Sequence, residues 1–212
     1  MMDHGPQRGL YLLTPDEPDT ARLLARVEAV LLPGVVLLQY RNKTAGAALR
    51  RLQVNALLPL AHARGIPLLV NDDWHLAAEV GAAGAHVGAD DGDLAEVRAA
   101  LGPQAILGAT CHANLDRARR ARDAGASYLA FGAAYPSPTK PGAAALPWSV
   151  LREARTLALP VVAIGGLRPD NAGPVLAAGA DLLAVLGAVF DAADPAGQVR
   201  RFLSLLSLPE SP

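Results

Sequence analysis

The segment QYRNK places an amide, a guanidinium and an ammonium group at alternate positions. If a strand runs through it, Gln39, Arg41 and Lys43 point to one side. Tyr40 and Asn42 then point to the other side. Arg41 could bind diphosphate oxygens with two parallel hydrogen bonds, and Lys43 could add a compact charge. A solvated strand end is the alternative, but an inward-facing basic pair is costly without an anion.

Two carboxylate pairs follow, in VNDD and in HVGADDG. Asp72 and Asp91 could offer hard oxygen ligands to Mg²⁺, which binds one or two carboxylates and completes its shell with water and substrate phosphates. We expect Asp73 and Asp90 to face away. An aspartate just before a helix is commonly its N-cap, and either Asp91 or Asp93 fits that role. The spacing of the residues alone therefore does not decide whether Asp91 is a metal ligand or the N-cap of the helix.

Lysine is rare in this chain. Of 19 basic residues, only Lys43 and Lys140 are lysines, so each needs a local reason for a compact charge. Lys140 lies in YPSPTKPG, where it could bind phosphate oxygens together with the hydroxyls of Ser137 and Thr139, in a loop that proline stiffens. An ordinary surface turn is the alternative.

Glycines follow two of the later apolar runs. Gly165 and Gly166 come after VVAI, and Gly187 comes after a run that begins at Leu182. Backbone amides at such positions can approach a phosphate closely, and barrel enzymes often bind phosphate after strands seven and eight. The signal is weak, since tight turns also require glycine.

Cys111 and His112 are adjacent and could suggest a nucleophile with its base. Neighbours on a strand point to opposite faces, so the pair cannot form a dyad if the strand continues. We expect Cys111 to be a small core residue and His86 to be a hydrogen-bonded structural histidine.

The elements that must position these residues repeat along the chain. Apolar runs with little polar alternation predict strands that are buried on both faces, with helical patterns between them. The predicted strands are Leu10–Leu13, Val35–Tyr40, Leu68–Asn71, Ala85–Gly88, Ile106–Thr110, Tyr128–Gly132, Val161–Ile164 and Leu182–Leu186. The predicted helices are Asp19–Leu32 and about Asp93 to Leu101, with others after Asn114, Trp148, Asp170 and Pro195.

Eight alternating strands and helices predict an α/β fold, a single-domain (β/α)8 TIM barrel over residues 1–212. An open doubly wound sheet is the alternative. We expect residues 1–8 and 208–212 to be flexible tails. Since active sites of this barrel lie where strands end, the polar residues above should converge on one mouth.

The amino-acid composition disfavours several classes of partner and location. With 19 basic and 20 acidic residues the net charge is −1, which disfavours nucleic acid and membrane surfaces as partners. No apolar stretch has signal or membrane-spanning length, and the single cysteine fits a reducing compartment. A cytoplasmic enzyme is expected, and a homodimer is left open.

Together, the motifs resemble the thiamine-phosphate synthase family: QYRNK against Gln-x-Arg-x-Lys, VNDD, HVGADD against His-x-Gly-Gln-x-Asp, SPTK against Thr-Pro-Thr-Lys, and IGG. The resemblance extends from Tyr11 to Phe190. Members of this family couple 4-amino-5-hydroxymethyl-2-methylpyrimidine diphosphate to 4-methyl-5-(2-phosphoethyl)thiazole and release diphosphate. The resemblance implies a dissociative reaction without a protein nucleophile, which fits the charges gathered around a leaving group.

The resemblance also implies roles for individual residues. The pyrimidine diphosphate would be bound by Gln39, Tyr40, Arg41, Asn42, Lys43, Asn71, Thr110 and Lys140. Arg41, Lys43 and Lys140 would be catalytic, and Asp72 and Asp91 would hold Mg²⁺. The thiazole phosphate would be bound by Ser137, Pro138, Thr139, Gly166, Leu186 and Gly187.

Four positions depart from the family pattern: Asn42 replaces glutamate, Ala89 replaces glutamine, Thr110 replaces serine, and Leu186–Gly187 replaces a hydrophobic-serine pair. These changes affect the pyrimidine pocket and one hydroxyl contact to the thiazole phosphate. Three rival functions remain: a thiazole tautomerase with His112 as proton carrier, a Schiff-base aldolase, and a non-catalytic barrel that binds a phosphorylated metabolite. The loop position of Lys140 disfavours the aldolase.

Overall fold

The computed structural model describes residues 6, 8–88, 91–136 and 146–207. In this part of the chain eight parallel strands close into a barrel in sequence order, which confirms the (β/α)8 barrel and excludes the open sheet. The strands are β1 (Gly9–Leu13), β2 (Val35–Tyr40), β3 (Leu68–Asn71), β4 (Gly84–Val87), β5 (Ile106–His112), β6 (Tyr128–Gly132), β7 (Val161–Ile164) and β8 (Leu182–Val185).

Helices follow the strands and cover the outside of the barrel. They are α1 (Thr20–Glu28), α2 (Ala47–Ala63), α3 (Trp74–Val80), α4 (Leu94–Leu101), α5 (Leu115–Asp123), α6 (Trp148–Ala154), α7 (Gly173–Ala177), α8 (Gly187–Phe190) and α9 (Pro195–Leu206). A short 3₁₀ helix, Arg155–Leu157, extends α6. None of the helices among the described residues combines the length and the apolar character that crossing a bilayer requires.

Helix α1 begins as predicted and ends early. The Asp19 side chain caps its start by accepting a hydrogen bond from the backbone of Arg22. The helix ends at Glu28 rather than Leu32, because the amide of Val30 bonds to the carbonyl of Val27, only three residues back. Val30 and Leu31 are still buried, so the apolar stripe extends past the helix into the following turn.

Two apolar layers explain the nearly continuous hydrophobic strands. One cluster fills the barrel interior and includes Tyr11, Leu37, Leu69 and Tyr128. A larger cluster lies between the strands and the helices. Successive residues of a strand contribute to alternate layers, so each strand must be apolar on both faces.

Strand register brings polar residues of different strands to one level. Asn71 of β3 pairs with His86 of β4, His86 pairs with Gly108 of β5, and Gly108 pairs with Tyr128 of β6. The carboxyl ends of all eight strands open at the same rim, as parallel pairing requires. The predicted convergence at one mouth therefore has a structural basis.

Candidate active site

A carboxylate, an amide and a lysine meet where β3 ends. Asn71 is the last residue of β3, and its Nδ2 donates to Oδ2 of Asp72 over 2.5 Å. Lys43 Nζ lies 3.9 Å from the same oxygen. Asp72 has a φ of 61°, a left-handed conformation that aspartate tolerates better than most residues.

Asp91 completes this group from the loop after β4. The carboxyl groups of Asp72 and Asp91 lie within hydrogen-bonding reach of each other. Burial raises the pKa of Asp72, and the charge of Asp91 raises it further, while Lys43 and Asn71 act in the opposite direction. Two carboxylates that lie this close repel each other unless a proton or a cation lies between them.

Gly88 makes room for the carboxylate pair. A Cβ at this position would overlap Oδ2 of Asp91 and would lie 3.4 Å from Oδ1 of Asp72. The space that a side chain would fill therefore lies against both carboxylates. The glycine therefore lets the carboxylate of Asp91 lie beside that of Asp72. Such a cluster of hard oxygens fits a small divalent cation.

The neighbouring aspartates have structural roles. Asp93 caps α4 by accepting from the amide of Ala95 at 2.7 Å, so Asp91 is not the cap of that helix. Asp73 caps α3 by accepting from Leu76 at 3.0 Å and faces away from the site, as predicted. Asp90 lies outside the described residues.

Arg41 and Lys43 lie in the loop after β2. Because β2 ends at Tyr40, strand alternation does not extend to them, and Asp16 holds them instead. Asp16 Oδ1 is 3.4 Å from Arg41 Nη1 and accepts from the backbone amide of Lys43 at 2.7 Å. Thr14 Oγ1 fixes the Arg41 backbone by accepting from its amide and donating to its carbonyl.

Tyr40 and Asn42 line the same cavity as Lys43, so the prediction that they point to the opposite side is wrong. The Tyr40 hydroxyl donates to Oε1 of Gln53 at 2.8 Å. Asn42 Nδ2 donates to the same oxygen at 3.0 Å and to the carbonyl of Glu17 at 2.8 Å. Both residues are almost fully buried, so most of their polar contacts serve to support the loop.

These residues line a cavity of about 170 Å³ between the ends of β2 and β3 and the start of α2. Its walls are formed by Tyr40, Asn42, Lys43, Arg50, Val70, Asn71 and Asp72. It brings together two cations, two amides and one of the proposed metal ligands.

Arg50 is a member of the site that the sequence analysis did not identify. It lies in the first turn of α2, and its Nε is buried and has no hydrogen-bond partner among the described residues. Burial raises the pKa of Tyr40 to about 12, although the nearby charge of Arg50 opposes that rise. A cation in the first turn of a helix opposes the helix dipole, which is the signal that could have drawn attention to it.

Gln39 differs from Arg41 and Lys43 because it lies inside the barrel and not at its open mouth. It is 2% exposed, and its Nε2 donates to the hydroxyl of Tyr11. On the other side of the barrel, Thr110 Oγ1 lies 2.9 Å from His86 Nε2. The predicted hydrogen bonding of His86 is confirmed, since both of its ring nitrogens have a partner.

The glycines after β7 accommodate a close approach of backbone. Gly166 has a φ of 63°, and a Cβ there would lie 2.6 Å from the carbonyl oxygen of Tyr135 and 2.7 Å from that of Pro136. Leu186 and Gly187 form the turn from β8 into α8. The predicted contacts of Ser137, Pro138, Thr139 and Lys140 lie outside the described residues, as does Ala89.

Cys111 and His112 do not form a catalytic pair. Cys111 is fully buried in the outer layer, as predicted, and burial raises the pKa of its thiol to about 12. His112 is exposed at the end of β5. Within the described residues no group of three or more His, Cys, Asp or Glu side chains could hold a metal. A cation bound at Asp72 and Asp91 would therefore need further ligands from water or substrate.

Comparison with known proteins decides the family. The sequence profile of the family described as thiamine monophosphate synthase matches residues 10–189. The chain belongs to this family. A thiamine-phosphate synthase from Methylobacillus flagellatus is 50% identical over 202 residues, which cover 95% of this chain and 97% of that protein. One from Thiobacillus denitrificans is 53% identical over 187 residues, 88% of this chain and 89% of that protein.

Solved structures agree with membership of the thiamine monophosphate synthase family. A thiamine phosphate pyrophosphorylase from Pyrococcus furiosus superimposes with a TM-score of 0.82 at 28% identity, over 93% of this chain and 95% of that one. An orotidine 5'-phosphate decarboxylase from Pyrococcus horikoshii reaches a TM-score of 0.67 at 14% identity, over 93% and 98% of the two chains. At that identity the second likeness concerns the barrel fold alone.

Proposed function

We propose that this chain is a thiamine-phosphate synthase, a transferase that couples 4-amino-5-hydroxymethyl-2-methylpyrimidine diphosphate to 4-methyl-5-(2-phosphoethyl)thiazole. Membership of the family supports the reaction. The observation that carries the proposal in the structure is the carboxylate pair Asp72–Asp91, which faces the ammonium group of Lys43 at the barrel mouth. Carboxylates and cations both remain charged at one site when a metal and an anion lie between them.

The proposed metal is Mg²⁺, held by Asp72 and Asp91. When bound, it would neutralise charge that develops on the departing diphosphate. Lys43 would bind a diphosphate oxygen from the loop after β2, and Arg41 would add a second cation while Asp16 fixes its position. Arg50 would supply a third cation from α2, because its buried Nε has no partner among the described residues.

The proposed reaction begins with loss of diphosphate. The bond between the methylene carbon and the diphosphate oxygen breaks, and its electron pair leaves with diphosphate. The aminopyrimidine stabilises the methylene cation by electron donation, and the thiazole nitrogen then forms the new carbon–nitrogen bond. Such a reaction needs positioned charge and no protein nucleophile, which agrees with the buried, protonated thiol of Cys111.

The thiazole phosphate would bind across the ends of β7 and β8. Gly166, Leu186 and Gly187 would present backbone amides to it, and Ser137, Pro138, Thr139 and Lys140 would contribute from the loop after β6. The support is the close backbone approach that Gly166 permits. The pyrimidine would be bound by Gln39, Asn71 and Thr110, with Tyr40 and Asn42 behind them.

The decisive experiment measures thiamine phosphate and diphosphate formation from the two substrates, first with Mg²⁺ and then with excess chelator. Magnesium-dependent coupling is expected. If no product forms although thiazole phosphate binds, the function is instead a thiazole tautomerase or a binding barrel, and isomer exchange of the thiazole separates those two.

We further propose a cytoplasmic location, supported by a single, buried and free cysteine among the described residues. The partners are small phosphorylated molecules. A homodimer is the alternative to a monomer, and sedimentation equilibrium at micromolar concentration distinguishes them.

A further inference from the structure

A chain of hydrogen bonds crosses the barrel interior below the mouth, and we call its members the interior relay. Gln39 Nε2 donates to the hydroxyl of Tyr11. The hydroxyls of Tyr11 and Tyr128 are 2.8 Å apart, and Tyr128 lies 2.8 Å from His86 Nδ1. His86 Nε2 then lies 2.9 Å from Thr110 Oγ1. Five strands thus contribute one polar side chain each to an otherwise apolar interior.

The backbone is shaped to admit the relay. His86, Gly108 and Tyr128 are adjacent in register on β4, β5 and β6. A Cβ at position 108 would overlap the Tyr128 hydroxyl and would lie 2.6 Å from His86 Nδ1. Tyr11 and Tyr128 also meet edge to face, with ring centroids 5.8 Å apart. A missing side chain at the centre of β5 is therefore a condition for the contact between Tyr128 and His86.

The direction of the relay follows from its proton donors. Burial raises the pKa of both Tyr11 and Tyr128, so each hydroxyl keeps its single proton. Tyr11 accepts from Gln39 and can then donate to Tyr128, which in turn donates to His86 Nδ1. In this direction of donation the shared proton of His86 lies on Nε2 and is donated to Thr110.

Each end of the relay retains one unused hydrogen-bonding function. At one end, Oε1 of Gln39 is buried, and no donor among the described residues reaches it. At the other end, a Thr110 hydroxyl that accepts from His86 can donate its own proton to a ligand. Gln39 and Thr110 both lie near the carboxyl ends of their strands, β2 and β5. The relay therefore offers an acceptor and a donor to a ligand that reaches below the mouth to the level of Gln39 and Thr110.

We propose that Tyr11, Tyr128 and His86 are positioning residues that select an aminopyrimidine over an oxopyrimidine by fixing this direction. An aminopyrimidine carries an amino donor beside a ring-nitrogen acceptor, which matches Oε1 of Gln39 and the hydroxyl of Thr110. The oxo analogue carries a carbonyl acceptor beside a ring N–H donor. It matches only if every hydrogen bond of the relay is reversed. The inference rests on the proposed function, because it concerns the pyrimidine of that reaction.

The test uses binding rather than turnover, since the oxo group would also alter the chemistry. Dissociation constants are measured for the monophosphates of 4-amino- and 4-oxo-5-hydroxymethyl-2-methylpyrimidine, which lack the diphosphate leaving group. We expect wild type to prefer the amino ligand by at least about 100-fold, because a mismatched ligand leaves buried polar groups unpaired. Tyr128→Phe keeps the ring and breaks the relay at its centre, and it should reduce the preference to about tenfold or less.

Matched variants separate positioning from loss of structure. Tyr135→Phe removes a hydroxyl that donates to the Asn171 carbonyl outside the relay, and it should leave the preference unchanged. Tyr11→Phe removes the anchor of Gln39 and should act like Tyr128→Phe, so it serves if Tyr128→Phe does not fold. A parallel loss of affinity for both ligands, with the ratio preserved, would show that the relay is only structural.

The outcomes also distinguish the two proposals. If wild type binds neither monophosphate and forms no thiamine phosphate, the proposed function is wrong. If wild type couples the substrates and prefers the amino ligand, but both variants keep the full preference, only the relay proposal is overturned.

Discussion

The two halves of the barrel rim are constructed in different ways. Over β2, β3 and β4 the rim consists of charged side chains that hold one another, such as Lys43 with Asp72 and Arg41 with Asp16. Over β7 and β8 it consists of backbone brought close by glycine, as at Gly166. The first half should depend on side-chain charge, and the second on main-chain geometry. Substitutions in the two halves should therefore fail in different ways.

The largest effect is expected from the charged half. Asp91→Ala removes one of the two proposed metal ligands and should lower kcat by at least about 100-fold, since a metal contributes several kcal/mol to stabilising charge in the transition state. The fold should stay intact, because Asp91 does not cap α4. Steady-state kinetics at saturating Mg²⁺ and a thermal melt measure the two quantities.

Asp93→Ala is the matched control for Asp91→Ala. It removes the α4 cap and should cost about 1 kcal/mol of unfolding free energy while kcat stays close to wild type. If Asp91→Ala lowered stability and Asp93→Ala lowered turnover, the assignment of ligand and cap would be reversed.

A smaller effect is expected for Arg50. Arg50→Gln removes one cation from the cavity at the end of β2 and should raise KM for the pyrimidine diphosphate about tenfold, the magnitude of one charge-assisted hydrogen bond. KM for the thiazole phosphate should not change. Initial rates with each substrate varied in turn measure both constants.

Arg51→Gln is the control for this change. Arg51 is next to Arg50 in α2, and its guanidinium forms an ion pair with Glu79 at 2.7 Å on the outer surface. An exposed ion pair of this kind contributes about 0–1 kcal/mol to stability. Equal effects of the two substitutions on KM would assign Arg50 to helix stability and remove it from the site.

The smallest effect is expected in the glycine half. Gly166→Ala forces a left-handed residue, which costs about 1–2 kcal/mol of stability, and displaces the carbonyls of Tyr135 and Pro136. The part of this change that reaches the ligand should raise KM for the thiazole phosphate about fivefold. KM for the pyrimidine diphosphate should stay constant. Gly173→Ala, where a Cβ has open space, should alter neither constant. A shift in both KM values with Gly166→Ala would contradict the separation of the two halves.

The barrel was predictable because its strands are apolar on both faces. Val35–Tyr40, Leu68–Asn71, Tyr128–Gly132 and Val161–Ile164 have the predicted bounds. The end of α1 was wrong by four residues, since a buried apolar stripe continues through the turn after the helix. The spacing of apolar residues predicts which side chains are buried, but it does not predict which hydrogen-bond pattern the backbone adopts.

The sequence predicted which strand ends carry the site residues, but it did not predict all of the residues or their contacts. Spacing placed Asp72, Asp91 and Lys43 at strand ends, but it could not choose between Asp91 and Asp93 as cap, which depends on hydrogen-bond geometry. It missed Arg50, which reaches the cavity from a helix rather than from a strand end. It also placed Gln39 at the open mouth, because strand alternation gives the direction of a side chain and not its partners.

Gly88 has a consequence for reading related sequences. Any side chain at that position would overlap the carboxylate of Asp91 where it lies beside Asp72. A chain that keeps both aspartates and replaces this glycine would therefore retain the ligand residues but could not bring their carboxylates together. In surveys of such barrels, the residue without a side chain should carry as much diagnostic weight as the two that bear charge.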